Sequence, residues 1–423
     1  MKEIYENEQT PQKAFLVGIQ DFHTNREEAA SLSRELAGLA ETLGVEKIGE
    51  EIAHIREHHP KYGMGSGKAE EIAEKVRELK ADCIMFDQEI SPSQQRNWEK
   101  LTGIAVVDRQ EVIIQIFAGR ARTREAELQV NLAELKYALP RLTHKYIDLN
   151  RQKGGSYGTK GSGETKLEMD RRQIEQKIHK IESELKEVRK NRAIQRKKRD
   201  KIPIPGCALV GYTNAGKSSL LNAMTQAEAF VEDKLFATLD PTTRRLEIGK
   251  GRPVLLTDTV GFIRRLPHDL IDAFKSTLEE ASLASLLIHV LDASDPDVDL
   301  YYKTTMDVLR ELGAEEIPML LVFNKIDNIT DNDILNNLLR RYPGSIPVSA
   351  KKNLGLDELA KRIDEALTAD QYRFRFPLSR SDLPALLHRK ATVINERYED
   401  DYIEVEARVD AVLLSQLENW LFE

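Results

Sequence analysis

The sequence predicts an α/β protein in four parts, and three observations lead there. Short apolar strands alternate with amphipathic helices at the start of the chain and again past residue 205. Between those blocks, two stripes of Leu, Ile and Val at helical spacing flank a glycine-rich loop. A phosphate-binding pattern, G-x-x-x-x-G-K-[ST], opens the second block between an apolar run and a helix start. The expected parts are an N-terminal parallel α/β domain (1–121), a long antiparallel helical hairpin with a basic glycine-rich tip (122–202), a P-loop domain (203–368) and a small α+β C-terminal domain (369–423).

In chain order, residues 14–19 read as a buried strand and 25–43 as a helix with Asn25 as its cap. Residues 68–79 form a second helix, and 83–86 and 104–107 are short buried strands. Ser91 and Pro92 open a helix with proline at its first position, and 110–120 is another. The segment from Gly63 to Lys68 imitates a phosphate loop. No clear apolar strand leads into it, its spacing is short, and Ala69 cannot ligate magnesium. It reads as a glycine turn capping a helix, with an ATP or other anion site at that helix start as the competing reading.

Leu128, Leu132, Leu135, Leu139 and Leu142 form one stripe, and Ile174, Ile178, Ile181, Leu185 and Val188 the other. They predict a helical pair sealed along a coiled-coil seam. The second helix, over 167–199, would be roughly 50 Å long at ~1.5 Å per residue. The loop at 154–163 carries Lys153, Tyr157 and Lys160 among or beside its glycines. Residues 141–200 hold 18 Lys or Arg against 9 Asp or Glu, a net of +9, which leaves −17 on the rest of a chain whose total is −8. A basic arm on an acidic protein points to a polyanion such as RNA; a solvated coiled coil with a flexible tip is the plainer reading.

Residues 197–201 and 203–205 make a hinge into the P-loop domain, where the chemistry concentrates. In the loop Gly211, Tyr212, Thr213, Asn214, Ala215, Gly216, Lys217 and Ser218, glycines let backbone amides turn toward phosphate oxygens. Lys217 can reach the β- and γ-phosphates and Ser218 can ligate Mg2+. Asp258, Thr259, Val260 and Gly261 end an apolar strand at 254–257. The Asp can hold magnesium through water, and the Gly amide can sense a γ-phosphate. Upstream, the loop Phe236, Ala237, Thr238, Leu239 and Asp240 offers Thr238 as a further magnesium ligand, preferred over Thr242 and Thr243.

Asn324, Lys325, Ile326 and Asp327 end a strand at 319–323, and Ser349, Ala350 and Lys351 follow another at 345–348. A carboxylate at 327 can accept both N–H groups of guanine's edge, a donor pair that adenine lacks, so GTP/GDP is the expected ligand. The predicted catalytic residues are Lys217, Thr238, Gly261 and Asn214, and the metal ligands Ser218, Thr238 and Asp258. Asn214 either ligates K+ beside the phosphates or stabilises a turn. The position after Gly261 holds Phe262, which cannot orient a water molecule, so a slow resting rate is expected.

Past residue 371 the chain reads as a hairpin of 391–398 and 402–409, closed by a helix over 411–420. Cys83 and Cys207 both sit in apolar runs and read as core residues of a protein in a reducing compartment. No signal peptide is evident, and no window approaches ~18 apolar residues. A cytoplasmic, monomeric protein is expected.

The chain resembles the HflX family of translation-associated GTPases, within the Obg–HflX group. The resemblance rests on the motifs at 211–218, 236–240, 258–263 and 324–327, on 161–168 leading into Arg171 and Arg172, and on 91–96 and 107–109 upstream. It implies binding to ribosomal RNA of the large ribosomal subunit, stimulated GTP hydrolysis and splitting of stalled or idle ribosomes, with the glycine tip probing the peptidyl-transferase region. A ribosome-assembly factor and a non-ribosomal switch acting through its coiled coil are the alternatives. Two departures are Arg264 and Arg265, where an acidic residue is expected, and Ser162, where proline is usual.

Overall fold

The computed structural model describes residues 12–22, 24–152, 162–199, 204–225, 235–236, 238–239, 241–249, 252–265, 281–367, 370–380, 382–399, 401–409 and 411–422. Three sheets organise them. The first is parallel with order β2-β1-β3-β4, from β1 (Lys13–Gln20), β2 (Glu46–His54), β3 (Cys83–Phe86) and β4 (Ala105–Asp108). Helices α1 (Arg26–Thr42), α2 (Ser66–Leu79), α3 (Pro92–Thr102) and α4 (Arg109–Arg120) connect and follow these strands.

The expected caps form. Asn25 accepts from the Glu28 amide, and Ser91 builds a reciprocal box with Gln94 behind Pro92. Strand β2, which the sequence reading did not mark, ends at His54, and no apolar strand among the described residues leads directly into Gly63. It is an edge strand with Glu46, Lys47, Glu50 and Glu51 along it, so it lacks the apolar run that marks its neighbours. The turn at 63–65 does precede a helix, and Lys68 Nζ, in its first turn, is held by Glu51 at 2.7 Å and Glu71 at 3.0 Å. That lysine is thus engaged in a surface ion network.

The hairpin is α5 (Arg124–Gln152) and α6 (Ser162–Arg199). Its 38-residue second helix is about 57 Å long at ~1.5 Å per residue. Leu132, Leu135, Ile178 and Leu185 are buried in its seam, with Leu128, Leu139, Ile174 and Ile181 packed around them. Lys153, Tyr157 and Lys160 lie outside the described residues. The arm is rooted by Arg141, which donates to Asp108 Oδ2 and Ile90 O, both at 3.0 Å, and stacks on Tyr137 at 3.5 Å.

The second sheet has order β10-β9-β8-β5-β7-β6 and is parallel except at β6–β7. Its strands are β5 (Gly206–Val210), β6 (Thr242–Ile248), β7 (Arg252–Asp258), β8 (Leu286–Asp292), β9 (Met319–Asn324) and β10 (Ile346–Pro347). Helices α7 (Lys217–Thr225), α8 (Val298–Glu311), α9 (Asn332–Arg341) and α10 (Leu356–Leu367) belong to the same P-loop domain.

The chain ends in β11 (Asp370–Pro377), α11 (Asp382–Lys390), β12 (Thr392–Tyr398), β13 (Tyr402–Val409), α12 (Ala411–Leu417) and β14 (Leu421–Phe422). Its antiparallel sheet has order β12-β13-β11-β14, a βαββαβ plan. The expected hairpin is present, but the closing helix does not end the chain, because β14 returns to pair with β11. Cys83 and Cys207 are free and buried, and burial pushes both thiols up to about 12. No described helix is long and apolar enough to cross a membrane.

Candidate active site

Strand β5 delivers the chain to Gly211, and α7 begins at Lys217, so the phosphate loop crosses the carboxyl end of the sheet. The loop is tied to the segment after β7. Thr213 N donates to Phe262 O at 2.8 Å, and Phe262 N donates to Gly211 O at 3.1 Å. Gly216 has φ +87°, and a Cβ there would stand 2.3 Å from Asn324 Nδ2. A Cβ on Gly261 would stand 2.9 Å from Lys217 Nζ. Both glycines therefore keep space that any side chain would take. Lys217 Nζ donates to Gly211 O at 3.1 Å and Tyr212 O at 2.8 Å. Burial pushes its pKa down to about 8, with Asp258 pulling the other way.

Three oxygen-bearing side chains converge beside it. Ser218 Oγ donates to Asp258 Oδ2 at 2.6 Å, and Thr238 Oγ1 donates to the same oxygen at 2.9 Å. The two hydroxyls are 2.7 Å apart. Asp258 is 1% exposed, burial raises its pKa, and its Oδ1 has no hydrogen-bond partner among the described residues. An orphaned carboxylate oxygen beside two hydroxyls is an all-oxygen donor set, the kind a hard cation such as magnesium takes.

On the far side of the loop, Asn324 Nδ2 donates to Ala215 O at 3.0 Å and Asn324 Oδ1 accepts from Ala350 N at 3.1 Å. Ser349 Oγ donates to Asp327 Oδ1 at 2.5 Å. Thus 215, 324, 327, 349 and 350 form one continuous edge. Lys325 has φ +61° and pairs with Asp292 Oδ2 at 2.8 Å.

Other predicted residues have different neighbours. Thr259 Oγ1 donates to Leu209 O at 2.6 Å, and Val260, Leu239 and Phe236 are sunk in a core shared with the N-terminal domain. Phe262 packs with Ala208, Val210 and Val308. Asn214 is exposed with φ +61°, Lys351 is exposed, and Ile326 opens a short 3-10 helix. Ala237 and Asp240 lie outside the described residues.

The sequence reading missed a buried node between the N-terminal and P-loop domains. Tyr212 OH donates to Glu35 Oε2 at 2.6 Å and accepts from Arg264 N at 2.9 Å. Arg264 Nε donates to Glu35 Oε2 at 2.9 Å, and its terminal nitrogen to Ser31 Oγ at 2.8 Å. Arg109 donates to Glu35 Oε1 and, at 3.0 Å, to Arg264 O. Arg264, which departs from the expected acidic residue, is therefore an interdomain partner of an acidic side chain. Arg265, at φ +53°, brings a guanidinium nitrogen 3.9 Å from Asp87 Oδ2. Burial pushes Asp87 up to about 6, with Arg265 and Arg109 pulling down. Glu35 gave one local signal, a carboxylate beside Leu32, Leu36 and Leu39 on the buried face of α1.

The phosphate loop, the oxygen cluster at its flank and the asparagine–aspartate edge define a GTPase of the P-loop class. Three family models match in chain order. "GTP-binding GTPase N-terminal" covers residues 30–118, "GTP-binding GTPase Middle Region" 120–199, and "50S ribosome-binding GTPase" 206–325. A GTPase HflX from Akkermansia muciniphila is 44% identical, with 100% of this chain and 99% of that protein aligned. The GTPase HflX of Caldanaerobacter subterraneus subsp. tengcongensis is 46% identical over 92% of this chain and 89% of its own length. That of Escherichia coli is 42% identical over 87% of each. Among solved structures, SsGBP with GDP is 27% identical, at TM-score 0.47, covering 84% of this chain and 98% of that one. The chain belongs to the GTPase HflX family.

Proposed function

We propose that this protein binds GTP with magnesium, hydrolyses it, and uses the cycle on the large ribosomal subunit to split stalled or idle ribosomes. The observation that carries the ribosomal half is the match of residues 206–325 to a model described as a 50S ribosome-binding GTPase. The net charge of +9 over 141–200 supports a basic arm that meets ribosomal RNA. The working division is 1–121, 122–202, 203–368 and 369–423, acting as a cytoplasmic monomer.

In the chemical step, loop amides from Gly211 to Ser218 hold the phosphates, and Lys217 lies against the β- and γ-phosphates. Ser218, Thr238 and Asp258 would hold magnesium, which would supply positive charge against the charge that develops on the phosphates. The Gly261 amide follows the γ-phosphate. Asp327 accepts from guanine while Asn324, Ser349 and Ala350 fix the loop around the base, with Lys325, Ile326 and Lys351 flanking it.

Phe262 is buried and apolar, so no side chain at that position orients water, and turnover at rest is slow. Large subunits accelerate it by ordering the switch segments. Asn214 would share a K+ ion with the phosphates; its exposure and its place in the phosphate loop support this reading, and stabilising the turn at φ +61° is the alternative role.

Sedimentation through sucrose with a non-hydrolysable GTP analogue tests the reading. Mature large subunits should carry the protein with them. Co-sedimentation with immature particles alone would make it an assembly factor, and with neither a non-ribosomal switch.

A further inference from the structure

Thr238, read above as a magnesium ligand, sits between two residues that belong to another domain's core. Phe236, two positions before Thr238, and Leu239, just after it, are each 2% exposed. Both lie in the cluster built by Leu36, Leu39, Val112, Ile113 and Phe117 of the N-terminal domain. The Phe236 ring meets Phe117 edge-on, with centroids 4.6 Å apart at 78°. Leu235 lies over α1 at Gly38, where an added Cβ would stand 3.2 Å from Leu235 Cδ1.

Phe236 also has φ +55°, a conformation that a bulky side chain adopts only when its surroundings hold it. The same segment ends with Thr238 Oγ1 2.9 Å from Asp258 Oδ2 and 2.7 Å from Ser218 Oγ. The strained residue, its aromatic seat and the oxygen cluster thus form one line from α4 to the P-loop.

We propose that Phe117 is a positioning residue for the nucleotide site. With the bare helix face at Gly38 it forms a dock, supplied by the N-terminal domain, that holds Thr238 at magnesium when a triphosphate is bound. Phe117 touches neither nucleotide nor metal; it acts through Phe236. A diphosphate does not require Thr238, so the dock sets the preference for GTP over GDP rather than affinity for guanine nucleotides in general. This inference rests on the reading of Ser218, Thr238 and Asp258 as magnesium ligands.

The test measures dissociation constants of the full-length protein for the imido analogue of GTP and for GDP, each across a magnesium titration. Phe117→Leu removes the edge-on ring contact, and Gly38→Leu fills the place of Leu235 from the opposite side. Each should weaken the analogue about tenfold, equivalent to about 1.4 kcal/mol, and raise the magnesium concentration needed to bind it. GDP affinity should stay within about twofold, which also reports that the variants are folded. Because both act on one dock, the double variant should lose less than the product of the single losses.

Equal loss for analogue and GDP would overturn the proposal by making Phe117 a general structural residue. An unchanged analogue-to-GDP ratio in both variants, with a wild-type ratio that still depends on magnesium, would overturn the dock and leave the metal reading intact. A wild-type ratio indifferent to magnesium would overturn both.

Discussion

Glu35→Ala should be among the most damaging single changes outside the nucleotide site. Its carboxylate is the acceptor for Arg109, Arg264 and Tyr212 OH, drawn from both domains. The two guanidinium side chains are only 2% and 7% exposed, so the alanine strands both charges away from water. Breaking a buried pair by removing one partner costs about 3–5 kcal/mol, a large part of a typical stability of about 5–15 kcal/mol. The protein can relieve that cost by opening the seam between the domains, which loosens the N-terminal domain first.

The sequence supplies the reporter. Trp98 is fully buried, and its indole donates to Tyr62 O at 3.0 Å within the N-terminal domain. The other of the two tryptophans, Trp420, can be replaced by Phe. With a urea slope of about 1–3 kcal/mol per molar, Glu35→Ala should lower the Trp98 midpoint by roughly 1–5 M. Arg109 Nε and Nη1 and Arg264 Nη1 have no hydrogen-bond partners among the described residues, so the node is only partly satisfied even when intact. Replacing its three charged members together, as Glu35→Leu with Arg109→Met and Arg264→Met, should therefore recover most of the loss. A midpoint for Glu35→Ala that matches wild type would refute the reasoning, as would a triple variant worse than the single.

Asp327→Asn should weaken GTP by roughly a hundredfold to ten-thousandfold, since two hydrogen bonds to a charged acceptor are worth about 3–6 kcal/mol. Xanthosine triphosphate, with the complementary edge, should gain, and competition binding with the two nucleotides reads the exchange. Asp87→Asn should stabilise the protein at pH 8 by on the order of 3 kcal/mol, because burial raises that carboxyl from 3.8 to about 6. A raised folded pKa makes the charged form the costly one, so the gain should fade as pH falls from about 6 toward 4 and vanish below it; thermal melts at four pH values measure this. Asn214→Ala should abolish any advantage of potassium over sodium chloride in GTP turnover, read by phosphate release in each salt.

The parts legible in the sequence share one property: their signal is local. The phosphate loop, the Asn25 and Ser91 caps and the hairpin stripes each need only a few consecutive turns of chain to be read. Asp258, Asn324 and Asp327 were legible because each terminates an apolar run. Strand β2 was not, because an edge strand has water on one side and carries Glu and Lys where a central strand carries Val and Ile. Strands β6 and β8 bear no nucleotide motif, and the four-stranded plan of the tail depends on β14, which is two residues long. The Glu35 node is invisible by nature. Its members lie as far as 233 residues apart, and neither α1 nor the Arg264–Arg265 pair announces the other.

That separation has a consequence for the newborn chain. Glu35 and Arg109 are 74 residues apart and can meet once the first four strands exist, whereas Arg264 follows Glu35 by 229 residues. Arg264 follows Arg109 by 155 residues, so at roughly 5–20 residues per second of synthesis the N-terminal domain waits on the order of 8–30 seconds with half its node exposed. Arg109 then serves as a built-in placeholder, neutralising the carboxylate until the second arginine is translated. A chain lacking Arg109 would have to carry an unpaired acid on an otherwise apolar face throughout that interval, so its deficit should appear as lower yield from synthesis before any loss in the finished enzyme.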